Sequence, residues 1–287
     1  MTLFIDLRAT PSGGICAAEA TIWNDGTQKV SAADFVARIS GLDLILATHG
    51  FNVDRARGIR VLSIWSQLLQ LPASSLFIGV LWPGDSQFLP FLDYPMEGSE
   101  AIASGKLLAG FLNQQAAAAA SVSFVSHSLG ARTMLQTLSG TNQHTRRLVL
   151  MAGAIEDDCL VNEYQQAAAK AGEIYVLASR SDKVLEFAFP IGNLVGEIVM
   201  RGHPYCKIAL GRGGPSQPIA LSQRGGAWQI PDAWNFGHSD YLPGNALAAQ
   251  LPPPVAAPGP AASVPVDPPV DGWKASWSAG AVSTQVE

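Results

Sequence analysis

Ser128 stands in Val122-Ser123-Phe124-Val125-Ser126-His127-Ser128-Leu129-Gly130-Ala131-Arg132, where a short apolar run gives way at once to a helix-forming one. A serine on a sharp strand-to-helix turn holds its hydroxyl clear of the backbone, free to attack an electrophilic carbon. Such a turn leaves little room two residues before and two residues after the serine, and those places hold Ser126 and Gly130. Glycine is more usual at the first of them, but serine is nearly as small. The same spacing recurs in Ser276-Trp277-Ser278-Ala279-Gly280. There no apolar strand precedes the serine and no helix former follows, so context assigns the chemistry to the first copy.

A serine hydroxyl is a weak nucleophile until a base takes its proton, and the base works best when a carboxylate holds its tautomer. Asp182 and His238 are the candidates. Asp182 lies just past the apolar run 174–178 and before Val184-Leu185; His238 lies in Gly237-His238-Ser239-Asp240-Tyr241. The expected roles are therefore nucleophile for Ser128, base for His238 and orienting acid for Asp182. Glu156, Asp157 and Asp158 follow the preceding apolar run and compete with Asp182, whereas Asp240 is awkwardly close to His238. His203 is a rival base and His144 reads as a surface residue. His127 is expected to point away from Ser128, as a packing or orienting residue. His49 opens His49-Gly50-Phe51-Asn52 after the run 42–48. The backbone N–H groups of Phe51 and Leu129 would there form a hole for a developing oxyanion, with His49 shaping the loop.

The elements that must position these residues follow from periodicity and punctuation. Runs 3–7 and 17–23 read as short antiparallel strands at a sheet edge, with Asp25-Gly26 as a turn. Ser31 caps a short helix to residue 39. Strand 42–48, helix 54–71, strand 76–82 and helix 99–120 follow, the last ending in an alanine run. Then come the serine's strand and its helix, strand 147–152, helix 162–171 closed by Gly172, strand 174–178 and a weak last strand 227–230. Strands alternating with helices imply crossover connections and an α/β domain with a mostly parallel central sheet flanked by helices. Trp82-Pro83-Gly84-Asp85 reads as a pocket floor or as a plain strand-ending turn. The stretch between Asp182 and His238 is about twice what a helix and a strand need. Its excess, 185–214, is a candidate lid, with Phe187, Phe189, Ile191 and Leu194 as acyl-pocket or core residues. Gly211-Arg212-Gly213-Gly214 lacks the lysine and helix context of a phosphate loop and reads as a flexible loop. Residues 1–250 form the expected domain. Residues 251–287 are a Pro/Ala-rich tail, flexible or docked through Trp273 and Trp277.

Composition narrows the classes. A chain of 287 residues suffices for one α/β domain burying roughly 70–75% of its unfolded surface. Charged residues make up only 14%, against about 25% in typical domains, with Ala, Gly and Pro filling the difference. Net charge is −5 with no Lys/Arg cluster, which argues against a nucleic-acid partner. Cys16, Cys159 and Cys206 are odd in number and widely spaced, so free thiols in a reducing compartment are expected, not a disulfide framework or a zinc site. The N-terminus lacks the pattern of a secretory signal. Run 184–200 is broken by Glu186, Pro190, Asn193 and Glu197, too interrupted to span a bilayer. A cytoplasmic protein with no cofactor and no metal is the expectation.

The order Ser128, Asp182, His238 joins several motifs: His49-Gly50-Phe51-Asn52, Trp82-Pro83-Gly84-Asp85, His127-Ser128-Leu129-Gly130, Ser181-Asp182-Lys183-Val184-Leu185 and Gly237-His238-Ser239. In these the chain resembles the α/β-hydrolase superfamily and, more narrowly, the DUF900-type bacterial hydrolases of poorly defined function, over roughly residues 40–245. The resemblance implies the α/β-hydrolase fold, a Ser-His-Asp triad and an acyl-enzyme. A small-molecule carboxylic ester is the default substrate, ahead of an amide or thioester, because a leaving alkoxide needs less help than an amine. The other reading is a non-catalytic binding module with a degenerate site and a partner-contacting tail; intact Ser128, Asp182 and His238 argue against it.

Overall fold

Alternating strands and helices fold here into one open, twisted layer covered by helices. The computed structural model describes residues 1–10, 14–69, 71–85, 94–187, 189, 208–216 and 225–241. Among these residues the strands are β1 Leu3–Arg8, β2 Cys16–Asn24, β3 Gln28–Lys29, β4 Asp43–Thr48, β5 Ser75–Leu81, β6 Ser121–His127, β7 Thr145–Met151, β8 Ala171–Ser179 and β9 Gly225–Ile230. They form a single sheet in the order β3-β2-β1-β5-β4-β6-β7-β8-β9. Every pairing from β1 to β9 is parallel, and β2 alone runs against its neighbours. β1 is thus an interior strand, and β2 and β3 make the antiparallel edge. Strands β1 and β6 are buried along their whole length, and β4 at all but its first residue. Continuous burial is what helices on both faces of a parallel sheet produce, and it explains the unbroken apolar runs.

Among the described residues the helices include α1 Ala32–Ile39, α2 Arg55–Leu68, α3 Tyr94–Gln115, α4 Gly130–Gly140 and two single turns, α5 Gln165–Ala168 and α6 Leu210–Gly213, with further helical turns at 183–187 and Asp232–Trp234. Ser31 caps α1 by accepting from Asp34 N–H, and Asp54 caps α2 by accepting from Arg57 N–H. A cap of this kind contributes about 1 kcal/mol. Helix α1 buries Phe35 and Ile39, and Phe35 packs its ring 5.5 Å from Phe111 of α3. Helices α3 and α4 lie close enough for Thr137 Oγ1 to donate to the Gly105 carbonyl. Leu62, Trp65, Leu108, Leu112, Met134 and Leu138 point into the core beside Leu46, Phe124 and Leu150. Burying a large apolar side chain contributes about 1.5–3 kcal/mol. No helix among the described residues is long and apolar enough to cross a membrane.

Three expectations change. The alanine run does not extend α3, which stops at Gln115; Ala118 and Ala120 instead bond through their backbones to Gly41 and Leu42 at the entry to β4. The expected helix 162–171 shrinks to α5, and Gly172 lies inside β8. Residues 211–213 are helical, not a loop: α6 is tied by Leu210 N–H to Ile155 O and by Gly211 N–H to Gly153 O. Most of the candidate lid 185–214, with Ile191, Leu194, His203 and Cys206, lies outside the described residues, as do residues 242–250 and the tail 251–287.

The topology delivers the candidate chemistry to one edge. The loop 49–53 follows β4, Ser128 follows β6, Asp182 follows β8 and His238 follows β9, all at the carboxyl ends of parallel strands. Open α/β sheets bind their ligands along that edge.

Candidate active site

Ser128 sits between the last residue of β6 and the first of α4 with φ 54, in the left-handed region a β-substituted residue enters only at a cost of order 1–3 kcal/mol. The turn is held on several sides. Ser128 N–H donates to Met151 O at 3.0 Å, while its own carbonyl accepts from Ala131 at 3.0 Å and Ala154 at 3.1 Å. A Cβ on Gly130 would lie 2.5 Å from His49 O and 2.7 Å from Thr48 Cγ2, so only glycine fits there. Ser126 is fully buried and its hydroxyl donates to Val149 O at 3.3 Å, which accounts for a serine where glycine is more usual.

The three side chains far apart in the chain meet here. Ser128 Oγ is 2.9 Å from His238 Nε2, and His238 Nδ1 is 2.7 Å from Asp182 Oδ2. Asp182 is fully buried, and its second oxygen accepts from Leu185 N–H at 2.9 Å, capping the helical turn 183–187. One carboxylate thus anchors its own loop and holds the imidazole. Glu156, the rival acid, pairs with Arg132 at 3.0 Å, and Asp158 accepts from the Asn162 amide. Asp240 accepts from Gly237 N–H at 2.7 Å, an internal tie across the loop that carries His238. His144 is exposed, just before β7 at the opposite end of the strands.

The loop after β4 lies directly against the serine. A Cβ on Gly50 would stand 2.7 Å from Ser128 Cβ and 3.3 Å from Ser128 Oγ. Trp82 Nε1 donates to His49 O at 2.9 Å, His49 Nδ1 donates to Gly50 O at 2.9 Å, and Asn52 N–H donates to Gly84 O. Trp82-Pro83-Gly84-Asp85 therefore supports this loop. Arg8, on β1, donates through Nη2 to Val53 O at 2.7 Å and pairs with Asp85. Among the described residues no acceptor takes the N–H of Phe51 or of Leu129. Leu129 also opens α4, where the helix dipole favours negative charge.

Two further histidines surround the site. His49 and His127 are wholly buried, and burial pushes both imidazoles down to about 3. His127, expected as a packing or orienting residue, packs its ring 4.8 Å from that of His238, and its Nε2 lies 2.8 Å from the His238 carbonyl. Sequence reasoning missed Ser179, whose hydroxyl donates to Phe236 O at 2.5 Å, and the buried Tyr241, whose ring meets Phe236 edge-on at 4.8 Å. Their partners lie in distant segments or depend on the fold, and no local pattern marks them. Phe187 is 63% exposed while Phe189 is buried. Among the described residues no group of three His, Cys, Asp or Glu side chains could hold a metal ion.

A mostly parallel sheet with a strained serine on the turn after a central strand, and a buried acid and a histidine on later strand ends, defines an α/β hydrolase. The chain belongs to the family described as alpha/beta hydrolase of unknown function (DUF900), which matches residues 26–249. A search of curated proteins finds no match. Among solved structures it is similar to a "C6-C4 SN3 inhibited" esterase B from Lactobacillus rhamnosis, at 12% identity over 76% of this chain and 72% of that one, with a TM-score of 0.33. A likeness that distant does not bear on activity.

Proposed function

We propose that the protein is a serine hydrolase that cleaves small-molecule carboxylic esters through an acyl-enzyme, with Ser128 as nucleophile, His238 as base and Asp182 as orienting acid. The observation that carries this reading is the unbroken hydrogen-bond relay, 2.7 Å from Asp182 to His238 and 2.9 Å from His238 to Ser128. Asp182 accepts from Nδ1–H, which leaves the Nε2 lone pair facing the hydroxyl. Ser128 Oγ attacks the acyl carbon as Nε2 takes the proton. The carbonyl oxygen becomes an oxyanion facing the backbone N–H groups of Phe51 and Leu129, each worth about 10²–10³ in rate in comparable sites. Collapse breaks the bond to the alcohol, which leaves with the proton from His238. Water, deprotonated by the same imidazole, then releases the acid and restores Ser128. An ester is favoured because alkoxide departure asks least of a general relay. A cytoplasmic location belongs to the same reading; it rests on the odd number and wide spacing of Cys16, Cys159 and Cys206 in the sequence.

Fluorophosphonate labelling and p-nitrophenyl ester turnover test the proposal. Wild type should be labelled and active, Ser128→Ala neither, and Asp182→Asn should lose on the order of 10⁴ in kcat. A folded wild type that takes no label and turns over no ester of any acyl length would favour a binding module. Full activity in Asp182→Asn would move the acid elsewhere.

A further inference from the structure

We propose that His127 is a positioning residue: its Nε2–H ties the backbone of the loop carrying His238 to the nucleophile turn, and so fixes the His238 imidazole between Ser128 and Asp182. The inference rests on reading those three residues as the catalytic relay.

His127 is the last residue of β6, paired with Met151 of β7, so its backbone belongs to the rigid centre of the sheet. Its Nε2 is 2.8 Å from the His238 carbonyl oxygen. A carbonyl only accepts, so Nε2 carries the proton and Nδ1 is a bare lone pair. That Nδ1 is buried without a partner among the described residues, and a Cβ on Gly50 would lie 3.0 Å from it. The ring is therefore clamped between the loop after β4 and the ring of His238, with Tyr241 6.1 Å away. The bond to the carbonyl selects one tautomer.

His238 itself sits on irregular backbone beyond β9 and the short helical turn Asp232–Trp234. Asp182 holds the His238 side chain, and two further ties hold its neighbours: Ser179 Oγ holds the Phe236 carbonyl and Asp240 holds Gly237 N–H. The bond from His127 reaches the backbone of His238, and its donor is adjacent in sequence to the nucleophile. Movement of the base is thereby coupled to movement of the group it deprotonates. A misplacement of about 1 Å in such a pair costs on the order of 10²-fold in rate. Neutrality of the tie matters as well, because His238 becomes cationic during attack, 4.8 Å from the His127 ring. Burial first, and the charge of His238 second, oppose protonation of His127, so the donor stays neutral throughout the cycle.

His127→Phe keeps a ring and removes the donor; His127→Gln keeps an N–H at similar reach. The measurements are the rate of fluorophosphonate labelling, kcat and KM on a p-nitrophenyl ester, and hydrogen exchange over residues 235–241. His127→Phe should lose roughly 10- to 100-fold in labelling rate and kcat with KM unchanged, and exchange faster over 235–241. His127→Gln should stay close to wild type in all three. Equal labelling of His127→Phe and wild type overturns the positioning role alone, as does an equal loss in His127→Gln. Labelling that survives in Ser128→Ala, or is absent from wild type, overturns the relay and this proposal with it. Should His127→Phe fail to fold, His127→Asn, whose shorter amide falls short of the carbonyl, is compared with His127→Gln by the same criteria.

Discussion

At the nucleophile, two close approaches of backbone decide where the hydroxyl can be. Gly130 admits the His49 carbonyl, and Gly50 brings the loop after β4 onto Ser128 itself. Gly50→Ala should therefore displace Oγ and slow fluorophosphonate labelling by on the order of 10²-fold. The accompanying loss of stability should be only about 1–3 kcal/mol by urea denaturation, since the clash is local. Ser126→Gly makes the contrasting case. It removes one buried hydroxyl bond to Val149 O, worth about 1 kcal/mol, and leaves the turn intact, so labelling should be retained. Labelling of Gly50→Ala at the wild-type rate would show that this loop does not set the serine's position. The small residues flanking Ser128 were legible in the sequence because the turn's own sterics demand them. The demand on Gly50 was not, because its neighbour across the gap belongs to another strand end.

At the level of elements, β1 acts as a brace for the loop it never joins in sequence. Arg8 pairs with Asp85 beyond β5 and donates to Val53 O, while Asp6 on the same strand pairs with Arg55 of α2 at 2.6 Å. The Arg8 side chain is only 1% exposed. Arg8→Met leaves Asp85, which is partly solvated, without that partner and Val53 O without its donor, and should cost about 1–3 kcal/mol in urea denaturation. Faster hydrogen exchange over 49–53 should accompany it. Unchanged exchange there would show that the arginine stabilises the sheet edge and not the loop. The same scale explains where helix expectations failed. Alanines 116–120 have high helix propensity, but Ala120 N–H finds Leu42 O at 2.9 Å and Ala118 O receives Gly41 N–H at 2.8 Å. Propensities of tenths of a kcal/mol yield to backbone bonds that close a crossover into the next strand.

Across the whole molecule, the buried histidines make stability depend on pH. His49 and His127 ordinarily titrate near 6.5 and are pushed down to about 3 by burial. The folded chain holds them neutral, so below pH 6.5 the unfolded chain binds more protons. Stability from this source is complete above about pH 6.5 and falls as pH drops towards 3, by up to about 1.4 kcal/mol per pH unit for each histidine. Urea unfolding between about pH 4 and 8 should show that decline, and His127→Gln should shallow it by about one proton. A flat profile would mean that these rings are hydrated in the folded state.

The residue types, their order along the chain and their places just past apolar runs came from the sequence alone, because turn sterics, side-chain period and capping act within a few residues. It also indicated a parallel sheet, since strands separated by helices can pair in few other ways. Tertiary structure decided the rest. Which carboxylate faces His238, why His127 turns towards it and what supports the loop after β4 depend on β4 lying beside β6 and β8 beside β9. Contacts between residues more than a hundred positions apart follow from strand order, and no local pattern in the sequence encodes it.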